Sequence, residues 1–145
     1  MALEELYREV ILDHYRNPRN RTPLPDPDAF AEGVNPLCGD EVTVELLFAQ
    51  DSIDKVSVRG HGCSISQSSG SMMGQAIKGL TRREVAELSL RFRDSLTGED
   101  ETPESDLGEL DALQGVRRYP VRVKCALLPW TTLDEAMSGN GASNS

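Results

Sequence analysis

The apolar positions of the first fifteen residues, Leu3, Leu6, Tyr7, Val10 and Ile11, recur at the spacing of one helical face. Glu4, Glu5, Arg8, Glu9 and Asp13 lie elsewhere. His14 extends the apolar stripe, which reads as a packed or capping histidine, and Asn17-Pro18 ends the helix. Residues 16–33 carry Pro18, Pro23, Pro25 and Pro27 without a sustained period, so they predict a loop crossing the surface. Val42, Val44 and Leu46 then alternate with Thr43 and Glu45, the pattern of a half-buried strand. Gln50-Asp51-Ser52 turns the chain, and Ile53, Val56 and Val58 mark a returning strand over 53–59, giving an antiparallel hairpin.

Further on, 64–78 predicts a helix with Ile65, Met72, Met73, Ala76 and Ile77 inward, small residues over much of its surface and Gly79 as its stop. The serine and methionine run has a simple explanation in close helix-to-sheet packing. Thr81 with Glu84 forms a capping box that opens a helix through Val85, Leu88, Leu90 and Phe92. A short apolar pattern at Leu107, Leu110, Leu113 and Val116 ends near Gly115. A last helix runs through Leu133 and Met137, with Pro129 expected to kink it or to mark its start. Residues 138–145 are small and polar and predict a flexible tail, leaving 1–137 as a single domain.

Composition narrows the function. A net charge of −9 and an aromatic fraction of 5% argue against a nucleic-acid partner, whose phosphates require clustered lysine and arginine. With no apolar run near 18 residues and no leader pattern, the chain is expected to be neither membrane-bound nor secreted. The acidity is local: Glu99, Asp100, Glu101, Glu104, Asp106, Glu109 and Asp111 follow one another with no basic residue between, which reads as a solvated loop. Three cysteines make a poor disulfide framework and point to a reducing cytoplasm with thiols available for metal or chemistry.

The chemistry centres on Cys63. Gly60 and Gly62 flank His61, so the backbone there can take positive φ and pass close to a neighbour. The helix that follows offers its free N–H groups to the Cys63 sulfur, favouring thiolate. Cys38 lies just before the first strand of the hairpin and Cys63 just after the second, so pairing brings both to one edge of the sheet. Asp40, two residues from Cys38 in an extended segment, projects to the same side. Cys125 follows Arg117, Arg118, Arg122 and Lys124, positive charge that lowers a thiol pKa and offers a docking surface to an acidic partner.

Taken together, Asn35-Pro-x-Cys38-Gly39-Asp40, Gly62-Cys63-Ser-Ile-Ser, the Met-Met-x-Gln-Ala-Ile-Lys-Gly run at 72–79, Ala112-Leu-Gln-Gly-Val and Arg122-x-Lys124-Cys125-Ala resemble the IscU/NifU-like iron–sulfur cluster assembly family. Within it they are most similar to the SufU branch, because Lys124 stands where IscU-type scaffolds carry histidine and because of an extra segment near 98–108. The resemblance implies an α+β fold: a small antiparallel sheet packed against helices (SufE/NifU-like), with a metal site at one end.

For the chemistry it implies Zn²⁺ held by Cys38, Asp40, Cys63 and Cys125. Three thiolates and a carboxylate suit a tetrahedral dication, and Arg122 and Lys124 offset the excess negative charge. His61 is a donor by type, but its position is not a ligand in the family. The resemblance further implies a PLP-dependent cysteine desulfurase of SufS type as partner. By that resemblance a histidine of the enzyme would displace one cysteine from zinc, by motif Cys38, which would accept the persulfide sulfur, with Gly39 easing its movement, and pass it to downstream SUF scaffold proteins. Two other readings stay open: a scaffold for a transient [2Fe–2S] cluster on the same residues, and a purely structural zinc site.

Overall fold

The computed structural model describes residues 3–98 and 107–139. In chain order its elements are α1 (Leu3–Arg16), β1 (Ala29–Asn35), β2 (Asp40–Ala49), β3 (Ser52–His61), α2 (Ser64–Ile77), α3 (Arg82–Thr97), a 3-10 helical segment (Gly108–Arg118) and α4 (Pro120–Ser138). The three strands form an antiparallel meander in the order β1-β2-β3. One face of this sheet is covered by helices, the α+β arrangement expected.

The hairpin forms as its alternation predicts, with Val44 opposite Val58 and Leu46 opposite Val56, all buried. The expected loop over 16–33, however, ends in a strand. β1 pairs along β2 from Ala29 opposite Leu46 to Asn35 opposite Asp40. Its pattern is faint because the positions it turns to the core are small. Ala31 is fully buried, and Gly33 lies so close to α4 that a Cβ there would come within 2.1 Å of Thr132 Oγ1.

A second correction concerns α2. The small residues placed on its surface by the sequence are its packed face: Ser66, Ser68, Ser69, Gly70, Ser71 and Gly74 are all buried. Ser69 Oγ donates to the Ala126 carbonyl at 2.6 Å and accepts from Trp130 Nε1 at 3.2 Å, while a Cβ on Gly70 would meet Val58 at 2.9 Å. Two elements approaching this closely require small side chains, so the packing explanation of the serine run holds.

α4 starts at Pro120, whose missing N–H costs nothing at a helix N-terminus. Pro129 therefore sits inside the helix rather than opening it, and its ring is buried. Trp130, the next residue, stacks on Phe92 of α3 with ring centroids 4.8 Å apart. The capping box of α3 is present in both directions, Glu84 N–H to Thr81 Oγ1 at 3.1 Å and Thr81 N–H to Glu84 Oε1 at 2.9 Å. Leu90, expected on the apolar face of α3, is exposed, being two positions from both Leu88 and Phe92.

The 3-10 segment continues past Gly115 to Arg118 because Leu110, Leu113 and Val116 keep one side buried. His14 is fully buried as expected, with Nδ1 2.7 Å from Ser71 Oγ and Nε2 3.0 Å from Glu109 Oε1, tying α1 to α2 and to the 3-10 segment. Of the acidic run, Glu109 thus has a structural partner and Asp111 is buried. Residues 99–106, most of the acidic run and of the extra segment, lie outside the described residues. Of the expected tail, Ser138 ends α4 and Gly139 caps it at φ 81°, while 140–145 lie outside the described residues.

The contact between Gly33 and Thr132 yields a stability prediction. Gly33→Ala should lower stability by about 1–3 kcal/mol through overpacking, read as an earlier urea midpoint at unchanged slope. Adding Thr132→Ala should recover most of the loss.

Candidate metal and thiol site

The register of the hairpin builds the first half of the site. Glu41 pairs with His61 at its open end, which leaves Asp40 and Cys63 as near neighbours across the two chain segments. Gly62, at φ 152°, brings the backbone against Asp40. The Asp40 carboxylate, fully buried, accepts the Cys63 N–H on Oδ1 at 2.8 Å, and its Oδ2 lies 3.9 Å from Cys63 Sγ. Cys63 caps α2, and Ser66 N–H donates to its sulfur at 3.5 Å, the helix-terminus contact anticipated from the sequence.

Cys38 stands in the turn between β1 and β2, its N–H donated to the Asn35 carbonyl at 3.2 Å and followed by Gly39 at φ 69°. Cys125, fully buried on α4, completes the cluster, its sulfur 3.1 Å from Cys38 Sγ. The donor atoms of Cys38, Asp40 and Cys125 all lie within 4.8 Å of one another, and this group could hold a metal ion. Cys63 stands beside the group rather than in it, touching its carboxylate and interacting with Cys125. Hence the structure gathers all four predicted donors, three of them tightly and Cys63 at the rim.

Burial pushes the Cys125 thiol well up, and its neighbours Cys38, Asp40 and Cys63 add to the effect. The Arg122 guanidinium is held more firmly protonated, chiefly by the charge of Cys63, with Cys125 adding. Arg122 thus faces the thiols as the sequence suggested, and Lys124 is exposed on the same helix. His61 is turned away, its side chain 73% exposed and paired with Glu41 at 2.8 Å.

Cys38 and Cys63 open onto a pocket of about 620 Å³ lined also by Arg118, Tyr119, Val121 and Arg122. Its surroundings are apolar as well as basic, since Leu37, Tyr119 and Val121 are each at least half exposed.

One residue was given no role by sequence reasoning. Asn35 is buried; its Oδ1 accepts the Leu37 N–H at 3.3 Å, and its Nδ2 lies 3.9 Å from Cys125 Sγ. The signal was present in Asn-Pro, a pair that favours a side-chain-closed turn, but its reach to Cys125 depends on long-range packing.

A family model described as the NifU-like N-terminal domain matches residues 6–126. The chain belongs to that family. It is 40% identical to the zinc-dependent sulfurtransferase SufU of Bacillus subtilis (strain 168), covering 98% of this chain and 96% of the relative. It is 35% identical to the iron-sulfur cluster assembly scaffold protein IscU of Streptococcus pyogenes serotype M1, covering 93% and 84%. Among solved structures, FiSufU from Fervidobacterium islandicum AW-1 aligns with a TM-score of 0.83 at 37% identity, over 94% of this chain and 99% of that one.

The raised Cys125 thiol carries a pH prediction. Above the ordinary thiol pKa, about 8.5, the unfolded chain releases this proton while the folded protein keeps it, so the folded state binds more protons. Stability of the metal-free protein should therefore fall as pH rises from about 8.5 towards the higher folded value. Urea titrations across pH 7–10 should show the decline, and Cys125→Ala should flatten it.

Proposed function

We propose that this protein accepts sulfur from the persulfide of a SufS-type cysteine desulfurase and passes it to downstream SUF scaffold proteins for iron–sulfur cluster assembly in the cytoplasm. The observation that carries the reading is the gathering of Cys38, Asp40 and Cys125 within 4.8 Å, with Cys63 at the rim, beneath a pocket open to a partner. The name of the Bacillus subtilis relative, a zinc-dependent sulfurtransferase, supports it.

The donor chemistry fits zinc: three sulfurs and one carboxylate oxygen, a borderline-soft set that suits a tetrahedral Zn²⁺. Cys38, Asp40, Cys63 and Cys125 would hold it, with Cys63, at the rim of the other three, as the fourth donor. Zinc, when bound, supplies a positive charge that keeps the thiols deprotonated at neutral pH.

The chain's own residues do the rest. Cys38 is half-buried at the pocket mouth, whereas Cys125 is sealed and Cys63 is engaged with the first turn of α2. Its thiolate attacks the terminal sulfur of the desulfurase persulfide. A bond forms between Cys38 Sγ and that sulfur, the sulfur–sulfur bond on the partner breaks, and the partner cysteine departs as thiolate. The persulfide then resides on Cys38, with no net oxidation or reduction. Arg118 and Arg122 place positive charge where the anionic sulfur arrives, and Leu37, Tyr119 and Val121 offer apolar surface for docking.

The scaffold reading draws on the relatives named IscU, and one preparation separates the two. Purified without oxygen, the protein should carry one zinc per chain and no iron or sulfide. With a desulfurase turning over cysteine, it should raise the turnover rate and acquire a persulfide mapped to Cys38, and Cys38→Ala should lower acceptance at least a hundredfold. Stoichiometric iron and sulfide without stimulation would favour the scaffold, and zinc without either activity would favour a structural site.

A further inference from the structure

The two oxygens of Asp40 face different tasks, and the residue that divides them is Gly62. The Asp40 carboxylate lies directly over residue 62. A Cβ built on Gly62 would come within 2.2 Å of Asp40 Oδ1, 2.9 Å of its Cγ and 2.9 Å of its Cα. No side chain fits in that space. At φ 152° the backbone is also in a region that side-chain-bearing residues rarely adopt. Because the space is empty, Oδ1 reaches past residue 62 to the Cys63 N–H at 2.8 Å, leaving Oδ2 on the side of the Cys63 sulfur at 3.9 Å.

We propose that Gly62 is a positioning residue for Asp40. It lets the carboxylate bind the Cys63 amide through one oxygen, so that Asp40 offers the thiol cluster a single oxygen in a fixed direction and moves with Cys63 as one unit.

The argument rests on the relative cost of the alternatives. Asp40 is fully buried, and a buried carboxylate without a donor is strongly disfavoured. The Cys63 N–H belongs to the N-cap residue of α2, just ahead of the first helical turn, where a donor has no helical partner. Each group therefore satisfies the other, and a charge-assisted bond to a backbone amide is among the stronger kind. The Cys38 side chain meets the Cys125 sulfur at 3.1 Å, a thiol contact weaker than a charge-assisted bond to an amide. Cys38 is held by the Asn35 carbonyl at one backbone point and precedes Gly39, around which a Cβ would meet nothing within 4 Å. The site thus divides into a fixed pair, Asp40 with Cys63, and a cysteine on a turn with room to move. On the sulfur-acceptor reading, this division makes Cys38 the residue that leaves the cluster, and the positioning of Asp40 holds whether or not that reading does.

The test uses the full chain and two readouts that do not depend on sulfur transfer. Amide hydrogen exchange at Cys63 is measured in the metal-free protein, and zinc retention is measured by competition with a chromophoric chelator. Wild type is compared with Asp40→Asn, Asp40→Ala, Gly62→Ala and the double variant Asp40→Ala/Gly62→Ala. Asp40→Asn keeps a carbonyl oxygen for the amide, so Cys63 exchange should stay within about threefold of wild type although zinc is held less tightly. Asp40→Ala and Gly62→Ala should each speed Cys63 exchange tenfold or more; Gly62→Ala should weaken zinc about 10–100-fold, the range seen for outer-shell partners, and Asp40→Ala, which removes a proposed ligand, at least as much. The double variant should bind zinc no more weakly than the worse single variant.

Wild-type exchange at Cys63 in Gly62→Ala, or losses of zinc affinity that multiply in the double variant, would overturn the proposal. Should Gly62→Ala fail to fold, the two Asp40 variants decide: equal exchange at Cys63 in both means that the carboxylate does not hold the amide. Failure of the wild-type protein to accept sulfur on Cys38, with Cys63 exchange in the variants as expected, would count against the sulfur-transfer reading alone.

Discussion

The antiparallel register of β2 on β3 is the constraint on which the site depends. Residues far apart in sequence meet because the hairpin closes with Glu41 opposite His61, and a strand has a side-chain period of two. A slip of one residue would turn Val42, Val44 and Leu46 out of the core and carry Asp40 away from the Cys63 amide. Burial of the inward valines and leucine therefore fixes the chemistry as well as the sheet. The irregularity in the ladder falls between Leu47 and Phe48, near the turn and at the opposite end from the cysteines. There it leaves the register at the site undisturbed.

The last donor arrives by a different route. Cys125 is carried on α4, and α4 is located by close approach: Gly33 beneath Thr132 and Leu128, Gly70 near Pro129, and Ser69 bonded to both Ala126 and Trp130. Trp130 and Phe92 stacked beneath it are fully buried, each contributing about 1.5–3 kcal/mol of apolar burial. Positioning of the third thiol thus belongs to the hydrophobic core, which forms whatever the protonation of the sulfur. Burial at that same place disfavours the thiolate, so the sequence has placed a group that prefers to stay neutral where a metal site requires it charged.

How much of this was legible depended on the range of the interactions. The hairpin, the capping box of α3 and the meeting of Cys38, Asp40 and Cys63 followed from local alternation and turn residues, since two paired strands must bring their outer ends together. β1 was lost because strand detection relies on large apolar residues, and its core positions are alanine and glycine. The same preference for size put the serines of α2 on the surface, where in fact they allow two elements to touch. Cys125 could be brought to the site only by resemblance, because its placement rests on contacts spread along α4 that no short window contains. Asn35 was visible as a turn residue but not as a neighbour of Cys125, for the same reason.

On the sulfur-acceptor reading, openness is what would separate this cluster from a metal site that only braces the fold. A bracing site gains by sealing every donor, since exposed thiolates invite exchange and oxidation. Here the core is already closed by Trp130, Phe92 and the sheet, and none of that packing passes through Cys38. The cysteines grade from buried Cys125 to half-buried Cys63 and Cys38, and the latter two open onto a pocket rimmed by Arg118 and Arg122. Positive side chains at a pocket mouth raise the local concentration of anionic groups. Around them Leu37, Tyr119 and Val121 remain exposed, an apolar rim whose burial a second protein could supply. On the proposed sulfur-acceptor reading, half-buried sulfur, cations and apolar surface gathered at one end of the molecule suit an exchange with a partner.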